Sequence, residues 1–395
     1  MTDTPTAEPR RSPLHEVHES LGASFTDFGG WLMPVRYTSD LAEHHAVRQA
    51  AGLFDISHMA EFRIVCPDAA GFLDYALAGR ISTMKVGKAK YSFVLASGGG
   101  IVDDVIVYRI ADGEFLIIAN AGNRSAVAAS LSAAADSWSE QWTPPVAPDG
   151  SFAFVAGAHV PEITDLTDAM SLIAVQGPAA RAIIEATDGI AGVDPVLADL
   201  PYYAWASGEF DGRSLLIART GYTGEDGFEL LVPNATAAAL WQSLSAAGAA
   251  HGLVPAGLAA RDTLRLEAGM PLYGHELGPD IVPAQAGLGR AVAADKDDFV
   301  GKAGLDARDT AELPVLVGLV AEGRRAGRAG YAVLDGDDPV GEVTSGALSP
   351  TLGHPIAMAF VAPSAAAVGT ILSLDVRGTR IPATVTALPF YRRQK

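Results

Sequence analysis

The chain has 395 residues, 49% of them hydrophobic and 19% charged, which is enough for two or three domains with proper cores and too apolar for a disordered chain. Acidic residues outnumber basic ones by 46 to 28, a formal net charge of −18, and a field of that sign repels nucleic acid and anionic lipid. One cysteine, Cys66, excludes an intrachain disulfide framework, a C-x-x-C redox pair and a multi-thiolate zinc site.

The basic clusters, Arg324-Arg325 with Arg328 and Arg392-Arg393 with Lys395, are too short for a nucleic-acid stripe. The polar start MTDTPTAEPRRS lacks the apolar segment of a secretory signal. No apolar run approaches the ~20 residues of a membrane span. The expectation is a soluble cytoplasmic protein with no nucleic-acid or membrane partner.

In chain order, residues 1–12 read as a flexible leader and Pro13–Leu21 as a short helix stopped by Gly22. Ser39 and Asp40 are N-caps for a helix running to Ala51, with Gly52 as its terminal glycine. Cys66 follows the apolar run Phe62–Val65 and reads as a small strand residue. Asp68–Leu77 is the next helix. Tyr91–Ala96 and Ile101–Ile110 read as strands joined by Ser97-Gly98-Gly99-Gly100, followed by the strand Phe115–Asn120 and an alanine-rich helix Ser125–Ala135. Trp138–Gly150 is a loop or subdomain boundary. Leu172–Val175 then Pro178–Thr187 read as strand then helix, and Thr236–Ala247 and Ala256–Ala268 as helices. After about residue 300 the texture changes to short apolar runs divided by Gly, Asp and Pro, from Val315 to Val385, the spacing of a small β-barrel or sandwich. The fold class expected is α+β: a body in two subdomains over 13–300, built of antiparallel hairpins and helices, then a β domain over 301–395.

Three segments carry candidate chemistry. In GYTGEDGFELLV the runs Arg213–Arg219 and Phe228–Val232 read as a hairpin around a glycine-rich loop, with Gly221, Gly224 and Gly227 supplying turn conformations. Glu229 lies inside the second run, among Phe228, Leu230 and Leu231, and a carboxylate there needs a partner. Two readings fit: a ligand with two adjacent N–H groups, or a structural ion pair. In GGGIVDDVIVYR, Asp103 and Asp104 are neighbours in an apolar strand and face opposite ways. Either a desolvated carboxylate there holds or moves a proton, or it caps the glycine-rich loop. In GLAARDTLRLEAGMPLYG, Arg261 and Arg265 share a helix face and Asp262 can pair with Arg265. Arg261 offers a planar fork to a ligand carboxylate or carbonyl, or makes a surface ion pair. Walker A, GxGxxG, HExxH and GxSxG signatures are absent, so neither a nucleotide-dependent enzyme, a histidine metal site nor a serine nucleophile is expected.

The order of these segments is itself informative. GGGIVDD, TGYTGEDGFEL, GLAARDTLRLEAGMPLYG and TSGALSPTLG (Thr344–Gly353), with FDISHM (Phe54–Met59), the opening Pro13–Val35 and the terminal LPFYRR, resemble the aminomethyltransferase (T-protein) family of the glycine cleavage system from about Pro13 to the end. The resemblance implies three subdomains around a folate cavity, the last a β-barrel. It implies transfer of a methylene carbon to tetrahydrofolate from an aminomethyl group on the lipoyl arm of the partner H-protein, with release of ammonia. Under it Asp104 is the catalytic carboxylate, Glu229 grips the pterin, and Tyr222, Asn120, Tyr91 and Arg261 line the folate pocket, with Tyr391 near the terminus. Tetrahydrofolate would be the co-substrate and no metal is implied. The chain departs from the family pattern at Ala284 and Gln285, at Arg290 and at Cys66. Two other functions share the scaffold: a stand-alone folate-dependent demethylase, and a non-catalytic folate-binding protein, which would be expected to lack these carboxylates.

Overall fold

The computed structural model describes residues 8–141 and 160–393. Local signals place the helices. The Ser39 hydroxyl accepts the Ala42 N–H and starts a helix over Asp40–Gln49. The Asp68 carboxylate accepts from the Gly71 N–H and starts Ala69–Ala76. The alanine-rich helix spans Arg124–Gln141, so residues 138–141 of the expected loop are helical. The rest of that expected loop, 142–150, lies outside the described residues, as do residues 1–7 of the leader.

The described chain divides into two units. The first comprises residues 1–59, 169–270 and 317–395. Its centre is a seven-stranded sheet in the order Ile190–Asp194, Trp205–Phe210, Arg213–Ala218, Gly227–Pro233, Met170–Gln176, Ala51–Asp55, Leu253–Pro255. All pairings are antiparallel except the last. One face carries Leu53, Ile173, Ile217 and Leu230 into a core with Leu240 and Trp241 of the helix Asn234–Gly248. A small sheet of Arg10–Arg11, Trp31–Arg36 and Ser24–Phe28 accompanies it. The same unit holds a closed six-stranded barrel, ordered Val315–Ala321, Pro355–Val361, Asp338–Leu348, Ala332–Asp335, Ile371–Val376, Thr379–Thr386, around Leu319, Val333, Val343 and Leu374.

The second unit comprises residues 60–168 and 271–316. Its five-stranded antiparallel sheet runs Ala89–Leu95, Ile101–Ala111, Glu114–Ala119, Ala60–Val65, Glu162–Asp165. Phe62, Val105, Val107 and Ile117 face a core with Phe72 and Leu131 of the two helices.

Three local expectations are corrected. Ala51 and Gly52 are not the end of a helix: the helix stops at Gln49, and Ala51–Asp55 is a fully buried strand. Gly52 is there for space, since an added Cβ would meet Val47 Cγ2 at 2.5 Å. Residues 10–12 are not loose: Arg10 and Arg11 pair with Trp31 and Leu32, and the Ser12 hydroxyl donates to buried Asp55. In the glycine-rich loop only Gly224 has a positive φ, 80°. Gly221 and Gly227 instead make room for Gln176, whose Oε1 and Nε2 would lie 2.0 and 2.4 Å from their added Cβ atoms. Among the described residues no helix is long and apolar enough to cross a membrane.

Candidate functional site

Strand register places Glu229 between small neighbours. Its cross-strand neighbours are Ala218 on one side and Ala174 on the other, and Ala174 in turn faces Phe54. Side chains on one rung share a face, so Glu229 lies between two methyl groups, on the face opposite the helix-covered core. A small cleft opens there, lined by Phe54, Ala174, Glu229, Tyr222 and Arg261 among others. Glu229 accepts from the Thr220 hydroxyl at 2.5 Å. The Arg261 guanidinium carbon lies 5.1 Å from the Tyr222 ring centroid, a cation–π arrangement. Burial lowers the Arg261 pKa, opposed by Tyr222 and Glu229.

Gln176 was not singled out from the sequence, yet it braces this loop: its Nε2 donates to the Thr220 carbonyl at 3.0 Å and its Oε1 accepts from the Thr223 hydroxyl at 2.9 Å. His58 was missed as well. It is fully buried, and neither ring nitrogen has a hydrogen-bond partner among the described residues. Burial first, then the nearby Arg261 charge, depresses its pKa to about 3 and keeps the ring neutral. The only features that marked either residue were a lone amide in an apolar strand and a histidine beside FDIS.

Two further residues make bonds that tie the unit together. Arg265 donates to Asp262, three residues earlier, and to Ser345 of the barrel at 2.8 Å. Tyr391 is not among the cleft-lining residues; its hydroxyl donates to Glu225 at 2.8 Å, its N–H to the Glu267 carbonyl, and its ring lies 4.0 Å from the Arg48 guanidinium carbon. Arg48 also pairs with Glu225 at 2.9 Å and Glu267 at 2.8 Å.

In the second unit the strand Ile101–Ala111 alternates, so Asp103 is fully buried on the core side and Asp104 is half-buried on the other. Asp104 accepts from the Tyr91 hydroxyl at 3.0 Å and from the Asn120 side-chain amide at 2.8 Å. Asp103 accepts from the same Asn120 amide at 2.8 Å, from the Asn120 backbone N–H at 2.8 Å, and from the Asn123 amide at 2.6 Å. Three expected residues, Asp104, Asn120 and Tyr91, thus form one hydrogen-bonded cluster. Burial raises the pKa of Asp104 against the bonds from Tyr91 and Asn120. Burial, then the charge of Asp104, pushes Asp103 up to about 7. At the departures, Gln285 is a staple, accepting from the Val282 N–H and donating to the Pro314 carbonyl. Ala284 and Arg290 are exposed. Cys66 is buried, and burial raises its pKa, the opposite of a reactive thiol.

An α+β fold with a closed β-barrel formed by the strands from Val315 to Thr386 carries these carboxylates, each held by amides or hydroxyls. The GCVT N-terminal domain family matches residues 14–296 and the glycine cleavage T-protein C-terminal barrel domain matches 315–392. An aminomethyltransferase of Cutibacterium acnes is 55% identical over 97% of this chain and 99% of its own, and one of Saccharopolyspora erythraea is 51% identical over 98% and 99%. The crystal structure of the glycine cleavage system aminomethyltransferase T of Bartonella henselae superposes with a TM-score of 0.83 at 36% identity, over 98% of this chain and 99% of that one. The chain belongs to the glycine cleavage T-protein family of aminomethyltransferases.

Proposed function

We propose that this enzyme is the tetrahydrofolate-dependent aminomethyltransferase of the glycine cleavage system. It transfers the methylene carbon of the S-aminomethyl-dihydrolipoyl arm of H-protein to tetrahydrofolate, giving 5,10-methylenetetrahydrofolate, ammonia and dihydrolipoyl H-protein. Family membership and the names of the full-length relatives support the activity. The observation that carries the site is Glu229 set between Ala218 and Ala174 at the cleft.

A flat heterocycle that presents an amino group beside a ring N–H fits such a carboxylate, which accepts both. Glu229 would hold the pterin, with Phe54 and Tyr222 offering apolar and aromatic surface and Arg261 a fixed positive charge. Tetrahydrofolate, when bound, supplies the nucleophilic nitrogen. Asp104 would hold or move the proton exchanged as the amine departs, because burial raises its affinity for one. Tyr91 and Asn120 fix its two oxygens in place. Lipoylated H-protein is the partner this reading requires.

The test is ammonia release from aminomethylated H-protein with and without tetrahydrofolate, for the wild type and Asp104→Asn. Folate-dependent release that collapses in the variant supports both the activity and the role of Asp104. Absence of release from a protein that binds folate overturns the reading and leaves a demethylase or a binding protein.

A further inference from the structure

Asp103 cannot touch a substrate, since it is fully buried on the core side of its strand, yet it shares one amide with the carboxylate that can. The Asn120 side-chain nitrogen has two hydrogens; it lies 2.8 Å from Asp103 Oδ1 and 2.8 Å from Asp104 Oδ1. Asp103 also takes the Asn120 backbone N–H on its other oxygen, so it grips Asn120 at two points and fixes the direction of the amide that Asp104 receives. We propose that Asp103 is a positioning residue for Asp104: it orients the bridging Asn120 amide, and its charge, facing that of Asp104 across the amide, keeps the pair at a single negative charge until the pH approaches neutrality.

Two carboxylates bonded to one nitrogen lie close enough for strong repulsion in a partly buried site, so they titrate as a pair in two separated steps. Among the described residues no cation stands against the pair to relieve that repulsion. On the neighbouring strand Tyr91 donates to Asp104, while Lys90 donates to the Arg80 carbonyl. On the strand at the other side the acid is Glu114, paired with Arg63. The helix Arg124–Gln141 contributes Arg124, paired with Asp165 and Asp168. The facing group from the segment after residue 270 is Tyr273, itself held protonated by burial and by both aspartates. Burial and the Asp104 charge put the Asp103 ionisation at about 7, opposed by Asn123 and Asn120, so the second charge of the pair forms only as pH rises through neutrality.

The inference rests on the reading of Asp104 as the working carboxylate. It is tested by the pH profile of folate-dependent ammonia release from aminomethylated H-protein, with thermal melts alongside, for the wild type, Asp104→Asn, Asp103→Asn and Asn123→Ala. Asn123 bonds Asp103 at 2.6 Å, so its removal withdraws a donor from the Asp103 anion. The expected result is two ionisations in the wild type, one in Asp103→Asn, and an upper ionisation displaced upward by about one pH unit in Asn123→Ala. Profiles of Asp103→Asn and Asn123→Ala that superimpose on the wild type after scaling overturn the proposal and leave Asp103 a clamp on the turn 121–123, whatever the melts show. Should Asp103→Asn not fold, Asn123→Ala alone decides between a displaced profile and an unmoved one. Undiminished release by Asp104→Asn is a different result: it removes the underlying assignment of Asp104 as well.

Discussion

Ala174 stands directly across from Glu229 on the adjacent antiparallel strand, and Ala218 stands across from it on the other side. In a strand interior rich in larger side chains, the carboxylate thereby stands between two methyl groups, which leave a notch beside it.

Glu229→Gln keeps the shape of the notch and removes the charge. Charge-assisted hydrogen bonds contribute about 1.5–3 kcal/mol, so folate affinity should fall by roughly tenfold to a hundredfold. The Asp104 cluster keeps its own hydrogen bonds. Calorimetric or fluorescence titration of tetrahydrofolate checks this, and an unchanged affinity removes Glu229 from the binding site.

Ala174→Leu fills the notch from the side. The added atoms enter the cleft, so the overpacking cost should stay near the low end of about 1–3 kcal/mol while folate binding is lost. Melting temperature and folate titration on the same sample separate the two effects. Retained affinity would mean that the ligand does not lie over this rung.

Arg48→Ala removes the cation from two acids at once. The side chains of Arg48, Glu225 and Glu267 are 5%, 6% and 0% exposed in these pairs, and stranding a buried charge costs about 3–5 kcal/mol. A loss of that order in chemical denaturation is expected, with Tyr391→Phe losing less because only the neutral donor to Glu225 goes.

Glu267 makes the protein acid-sensitive in a defined window. Burial alone would raise its carboxyl, but hydrogen bonds from His44, Ser349 and Thr351, together with the His44 charge, hold it at about 2 against an ordinary 4.5. A folded-state pKa below the unfolded one stabilises the fold above the ordinary value and loses that contribution as pH falls from 4.5 to 2. The contribution is about 3 kcal/mol by linkage. Unfolding free energy measured across that window should decline less steeply in Glu267→Gln than in the wild type, even though the variant starts lower.

Much of this architecture is readable in the sequence. The barrel strands from Val315 to Val385 announced themselves by short apolar runs between turn residues, and the observed strands fall on them. Glu229 was visible because a carboxylate interrupts an apolar run. Asp103 and Asp104 were known to face opposite ways, but which one faced the core depended on where the helices lie, and that is set by packing far along the chain. The strand Ala51–Asp55 was hidden for a related reason: Gly52 after a helical pattern mimics a C-terminal cap, and only its pairing with Met170–Gln176 and Leu253–Pro255 makes it a sheet residue. Gln176 shows in the sequence only as a lone amide in an apolar strand, because its partners Thr220 and Thr223 are more than forty positions away.

The unit that carries Glu229 is assembled from three separate stretches of chain. During synthesis Arg48 leaves the ribosome 303 residues before Thr351, and earlier still relative to Tyr391, the two residues that complete the ring around Glu267 and Glu225. A nascent chain therefore carries two acids and an arginine whose final ligands do not yet exist, and this unit closes only once its third stretch has been made. A premature stop before Tyr391 would act on an acid and an arginine made long before it.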